Sequence, residues 1–306
     1  MFSSPRLALA PALFLAAACS SMPQADGTAM RYVEAGGVDT HVRTWGAGDP
    51  VFLIHGASSD MAVFEPTVIP LLRESYQLTA YDRPGLGFTA GRPPNADQLG
   101  VQARIAADVI EQSGLKKPIV VAHSFGGAVA LRLALDYPDL ISGLVLLAPV
   151  AYDWPGGVSW HLYWSANQLV GPLFNNVLVP PFAEGAAKSG VEGSFAPAIV
   201  PPGYVKAAAV ERATRPAALR ANAEDMVAAK REVIAQQSRY AEITMPVAIL
   251  SGDGDTVVST PIHTGQLGLT LKNARVEILT GVGHMPHEAA PETVLDMIRW
   301  VGSRSG

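Results

Sequence analysis

Two kinds of hydrophobic pattern take turns along this chain. Short, continuous apolar runs rich in β-branched residues, "DPVFLIHG", "KPIVVAHS", "ISGLVLLAP" and "MPVAILSGDGD", read as strands buried on both faces. "YQLTAYDRPG" and "ARVEILTGVG" read as two more strands, and "MRYVEA" and "VDTHVRTWG" as a hairpin across Gly36–Gly37. Between them, apolar residues recur at helical spacing. "NADQLGVQARIAADVIEQSG" predicts a helix capped at Asn95 or Asp97 and stopped at Gly114. "FGGAVALRLALDYP", "TPIHTGQLGLTL" and "PETVLDMIRWVGS" predict three others. Apolar strands alternating with helices imply an α/β fold, with a mostly parallel, doubly wound sheet covered on both faces.

The alternation breaks once. Residues 151–242 hold no clear buried strand, but they hold eight of the prolines and three tryptophans, Trp154, Trp160 and Trp164. This block reads as a mainly helical cap inserted between a first core segment, 31–150, and a second, 243–306. The second segment needs the first to complete a sheet.

The N-terminus is a different kind of sequence. Residues 1–18, "MFSSPRLALAPALFLAAA", place Arg6 before an apolar run from Leu7 to Ala18. The run is too short for a stable membrane span and suits the core of a signal peptide. Cys19, the single cysteine, follows. "LAAAC" resembles a bacterial lipobox, which implies a lipidated Cys19 as the new N-terminus and a membrane partner reached through that anchor. Ser20 then favours the outer membrane, on its periplasmic side. Ordinary secretory cleavage near Ala18, giving a soluble exported protein, is the alternative. Residues 19–30 would form the lipidated cysteine and its tether, with a random-coil span of roughly 18 Å.

Composition narrows the function classes. Net charge is −5 and no block of Lys or Arg appears, which argues against nucleic acid as a partner. With 49% hydrophobic residues the chain can build a large core without disulfides.

Ligands of an open parallel sheet gather at the carboxyl ends of its strands. Ser124 ends one, in "AHSFGG". A serine between strand and helix is either a helix cap or a hydroxyl raised for chemistry. "AHSFG" with Gly127 resembles the nucleophile elbow of the α/β-hydrolase superfamily, with Ala122 where the family has its first glycine. The order serine, acid, histidine continues in "LSGDGDTVV" and "GVGHMPHEAAPE". The resemblance implies Ser124 as nucleophile, Asp255 as the orienting acid and His284 as base. Asp253 and Asp153 are rival acids. His287 beside Glu288 is a rival histidine, with a surface or capping role as its plain reading. A metal site on His284 and His287 lacks further ligands at suitable spacing, and no cofactor is implied. "FLIHGASS" resembles the family's oxyanion loop, so the backbone N–H groups of Ala57 and Phe125 are the expected oxyanion donors. His55 is expected to shape that loop. In "YDRPGLGFT", Asp82 and Arg83 are expected to brace a turn with Gly85 and Gly87.

A serine at position 124 sets aside the aspartate nucleophile of dehalogenases and epoxide hydrolases. Ser58 replaces the proline that epoxide hydrolases carry, and the "HGGPG" loop of iminopeptidases is absent. The resemblance implies hydrolysis of a small to medium, largely apolar carboxylic ester, with Trp160, Tyr163 and Trp164 as an apolar lid. Cleavage of C–C, lactone or amide bonds, and perhydrolysis, suit the same residues. A non-catalytic binding lipoprotein is the alternative of another class.

Overall fold

The computed structural model describes residues 30–305. The apolar N-terminal run, Cys19 and the tether before residue 30 lie outside the described residues, as does Gly306.

Eight strands form one sheet: β1 (Arg31–Ala35), β2 (Val38–Trp45), β3 (Asp49–Ile54), β4 (Tyr76–Tyr81), β5 (Ile119–His123), β6 (Gly143–Leu147), β7 (Val247–Gly252) and β8 (Ala274–Leu279). Their order is β1-β2-β4-β3-β5-β6-β7-β8. Only β2 runs against the others. The β1–β2 hairpin turns at Gly36 and Gly37, both at positive φ. Six main helices are α1 (Leu99–Gln112), α2 (Phe125–Asp136), α3 (Trp160–Ala166), α4 (Pro180–Phe195), α5 (Pro216–Gln237) and α6 (Pro291–Gly302).

The strand period of two divides the core into two layers. Phe52, Ile54, Val120 and Ala122 pack with α1 and α2, whereas Val51, Leu53 and Val121 pack with α6 on the opposite face. The sheet is therefore doubly wound. α1 begins later than its sequence suggests. Asn95 sits at φ 60° in a preceding turn, Asp97 pairs with Arg231, and the helix opens at Leu99 after Gln98. Between β6 and β7 the described residues form helices and turns, with no strand. Among the described residues no helix is long and apolar enough to cross a membrane.

α5 is fastened to the sheet by buried charge. Arg83, on the turn after β4, is fully buried. Its Nη1 donates to Asp225 Oδ2 of α5 at 2.6 Å and to Gln102 Oε1 of α1 at 2.8 Å. Arg92 Nη2 donates to Asp225 Oδ1 at 2.7 Å. Asp82 accepts from Met61 N and Phe88 N and pairs with His41, so it braces the turn as its sequence implied. Gly87 is required there: a Cβ on it would lie 2.3 Å from the Asp82 carboxylate.

Several histidines are also buried, and three of them lie far below the ordinary imidazole range because burial disfavours the imidazolium. His55 is pushed down to about 3, His263 to about 4 and His287 to about 3.

Two expectations follow from these buried groups. Asp225→Ala leaves the Arg83 guanidinium buried without its carboxylate, so urea unfolding should show a loss of about 3–5 kcal/mol. In the unfolded chain the three histidines take up protons near pH 6.5, but in the fold they resist until about 3–4. Their stabilising contribution is thus complete above pH 6.5 and lost as pH falls toward 4. Glu288, raised to about 7 by burial, and the buried Asp60, also raised, act with the opposite sign, as two groups against four histidines, since His123 is lowered as well. Urea midpoints should fall steadily from pH 6.5 to pH 4.5.

Candidate active site

Ser124 sits between the last residue of β5 and the first of α2, at φ 54° and ψ −122°. A side chain at positive φ is strained and needs its surroundings to hold it. Ser124 N donates to Leu147 O of β6, and Ser124 O accepts from Gly127 N and Val150 N. The hydroxyl makes no helix cap. It lies 2.8 Å from His284 Nε2 instead.

His284 follows β8, and its Nδ1 is 2.7 Å from Asp255 Oδ2. Asp255 follows β7, and its Oδ1 accepts from Val257 N at 2.8 Å and Val258 N at 2.9 Å. The backbone thus fixes the carboxylate, and the carboxylate fixes the ring. With the proton on Nδ1, the Nε2 lone pair faces the serine hydroxyl. An imidazole held this way can take the hydroxyl proton as the oxygen attacks. The chain Ser124–His284–Asp255 brings together the ends of β5, β8 and β7.

The rivals fall elsewhere. Asp253 is exposed, and its Oδ1 accepts from Gly281 N at 2.7 Å, tying the ends of β7 and β8. Asp153 pairs with Lys230 at 3.1 Å near the surface. His287 is neither a surface nor a capping residue: it is fully buried, and neither ring nitrogen has a hydrogen-bond partner among the described residues. Its ring lies 4.7 Å from that of His123, which lies 4.9 Å from that of His284. His123 Nε2 donates to His284 O at 2.9 Å and so supports the loop from beneath. Burial and the neighbouring histidines hold His123 well below its ordinary value, so the stack carries no cation toward His284.

The loop after β3 completes the floor. Arg83 donates from Nε to His55 O and from Nη2 to Gly56 O, and its backbone N–H donates to His55 Nε2. His55 must then carry its proton on Nδ1, which donates to Gly56 O at 2.9 Å. Ser58 N donates to Asn222 Oδ1 of α5 at 2.7 Å. Neither Ala57 N nor Phe125 N donates to a protein acceptor among the described residues. Asp60 accepts two bonds from Arg212, at 2.6 and 2.8 Å. Burial still raises the Asp60 carboxyl above the usual range.

A cavity of about 980 Å³ opens above these groups, and Ala57, Ser124, Phe125 and His284 line it. No lysine or arginine is among its lining residues. Trp160, Tyr163 and Trp164, expected there from the sequence, are not among them either. The reason is the roll of α3. Ser165 Oγ donates to Asn175 Oδ1 at 2.7 Å and sits under α5, which turns His161, Leu162 and Ser165 inward and the three aromatics outward. The aromatics that do line the cavity are Phe125, Trp154, Phe174, Phe195 and Tyr204.

Three site residues carry no local signal in the sequence. His123 and Asn222 act through contacts of 161 and 164 residues' separation. His263 also lines the cavity. Its Nδ1 accepts from both Ala151 N (3.1 Å) and Tyr152 N (3.0 Å), so its proton is on Nε2. Among the described residues no group of three or more His, Cys, Asp or Glu is placed to hold a metal ion.

Known proteins resemble this chain in sequence and fold. The family model described as "alpha/beta hydrolase fold" matches residues 49–291. The 2-hydroxy-6-oxo-2,4-heptadienoate hydrolase of Pseudomonas putida is 35% identical over 136 residues, 43% of this chain and 46% of that protein. The match thus spans about half of that relative. The 2-(acetamidomethylene)succinate hydrolase of Mesorhizobium japonicum is 25% identical over 282 residues, 88% of this chain and 93% of that protein. A solved esterase of Exiguobacterium antarcticum is similar in fold, with a TM-score of 0.70 at 19% identity, over 89% of this chain and 98% of that one. With a family model matched across most of its length, the chain belongs to the α/β hydrolase fold family.

Proposed function

We propose that this hydrolase cleaves neutral, largely apolar carboxylic esters through an acyl-enzyme on Ser124. His284 takes the Ser124 proton as the oxygen attacks the ester carbonyl, then returns it to the leaving alcohol. Asp255 holds the imidazole in the required tautomer and stabilises the imidazolium. The N–H groups of Ala57 and Phe125 receive the developing oxyanion, the second of them at the N-terminus of α2. Water activated by His284 then releases the acid.

The observation that carries this reading is the absence of any lysine or arginine among the cavity-lining residues. A carboxylate in such a space would lose its hydration with no cation among the lining residues in return, and Asp255 would repel it. An uncharged ester meets no such penalty. The Nε2–H of His263 offers it one neutral donor. The likeness to the Pseudomonas putida enzyme favours a second reading, cleavage of a C–C bond in a dienoic acid. That substrate brings the carboxylate this cavity does not welcome.

The N-terminal pattern supports export and acylation at Cys19, which would place the enzyme on the periplasmic face of a membrane.

Hydrolysis of nitrophenyl butyrate should exceed that of nitrophenyl hemisuccinate by about 100-fold in kcat/KM, since an unpaired buried charge costs several kcal/mol. Comparable rates, or turnover confined to a dienoic acid, would favour the second reading. Ser124→Ala should lower ester turnover by roughly 10⁴ or more and abolish labelling by a fluorophosphonate. Asp255→Asn should cost about 10⁴ in kcat, while Asp253→Asn should stay within about tenfold of the parent. The opposite ranking of the two aspartates would reassign the acid.

A further inference from the structure

The outer face of the cap is unlike the rest of the surface. Trp160, Tyr163, Trp164, Leu169, Leu173 and Phe182 are between 52% and 90% exposed. They lie on α3, on the turn and short helix from Leu169 to Leu173 and at the start of α4, and the π-helical segment Phe174–Leu178 contacts all three helices. The Trp160 and Trp164 rings meet edge to face at 6.1 Å, and Trp164 lies 6.0 Å from Phe174. Residues 154–183 contain no Asp, Glu, Lys or Arg. Surface aromatics and leucines grouped without one intervening charge mark an interaction face.

We propose that this face docks on a lipid bilayer, inserting its aromatic and aliphatic side chains at the headgroup boundary. The chemistry of the face selects this occupant. Trp and Tyr have an apolar body and a polar edge, the combination that settles at a membrane interface. The chain's net charge is −5 and residues 154–183 contain no Lys or Arg, so attraction to anionic headgroups is not the source of binding on this proposal. Apolar insertion remains. The sequence reading of the N-terminus agrees, since a Cys19 anchor and a tether of roughly 18 Å would hold the domain at a bilayer. The docking itself does not depend on that anchor.

The same segments build the cavity from their inner side. Trp160 points out while His161 and Leu162 line the cavity; Leu173 points out beside Phe174; Phe182 points out beside Ala183. One layer of helix therefore separates the docking face from the site. A lipid-soluble neutral ester would pass from bilayer to cavity over a short path, a consequence that rests on the ester reading above.

Binding is tested on the full chain with vesicles of palmitoyl-oleoyl phosphatidylcholine, in the Ser124→Ala background so that turnover plays no part. Leu169→Ser/Leu173→Ser/Phe182→Ser should weaken partitioning by at least about tenfold. Leu269→Ser, a substitution at an exposed leucine outside the cap, should leave it unchanged. Partitioning should also hold steady over a roughly tenfold range of salt. Residues 1–29 contain no tryptophan, so fluorescence reports the folded chain alone. Brominated acyl chains should quench it, and Trp160→Phe/Trp164→Phe should remove most of the quenching. Three results would overturn the proposal: unchanged partitioning of the triple variant with quenching that survives in the double variant; binding confined to anionic vesicles and lost with salt; or a lipid-free dimer that the triple variant dissociates without any effect on vesicles. The last would assign the face to a second copy of the chain.

Discussion

The site exists because the backbones of β5 and α2 come almost into contact with their neighbours. A Cβ on Gly126 would lie 2.5 Å from Ile54 O, and one on Gly127 would lie 2.6 Å from the Pro149 ring. With side chains there, α2 would move away from β3 and β6. The hydrogen bonds that hold Ser124 at positive φ run to those same neighbours, Leu147 O and Val150 N. The strain at one serine is thus held by the packing of three strands and a helix. Comparable close approaches recur around the triad. Gly252 admits Val282 O, and Gly283 admits Ala196 O from beyond the end of α4. The acid loop and the histidine loop can then lie against each other and beneath the cap.

That constraint leaves many polar groups buried, and the fold meets it with paired charges and neutral imidazoles. Arg83 is the centre of the arrangement. It reaches α1, α5 and the loop carrying Ala57 in one span of guanidinium and backbone bonds. α5 answers from the cap side with Asp225, and again with Asn222 on Ser58. The loop that carries Ala57 is therefore set jointly by the sheet and by the inserted helix. Cap and core share one electrostatic unit, and a change in α5 would be felt at the floor of the cavity.

Much of this was legible in the sequence, for definite reasons. Buried parallel strands must be continuous apolar runs, so the core announced itself. Ser124 was legible as a hydroxyl between strand and helix with small residues around it. Asp255 and His284 came from the resemblance of the loops after two late strands, and the three side chains meet in one hydrogen-bonded chain. What was not legible depended on rotation or on long range. The spacing of Trp160, Tyr163 and Trp164 located one face of α3 but not its direction. Ser165, seated on Asn175, decides the direction. His287 looked like a surface residue because Glu288 follows it, yet the turn after His284 carries both inward. His263 and Asn222 gave no local pattern, since their partners are backbone N–H groups 111 and 164 residues away.

Charge is what separates one stretch of the cap from the rest of the molecule. Ion pairs run through the core and join it to the later part of the cap, among them Arg92 with Glu224 and Arg212 with Asp60. Yet thirty successive residues of the cap, 154–183, carry no formal charge, and the cavity they help to enclose has no cation in its lining. Each absence has a cost. The outer face exposes apolar surface to water, and the inner face gives up the grip that a guanidinium would have on an anionic substrate. Both costs would vanish if, as proposed, the substrate is uncharged and arrives from an apolar phase. A water-borne acid would make neither absence useful. On the proposed reading, a cavity without cations and an outer stretch without charge would together join the chemistry at Ser124 to the surface on which the enzyme works.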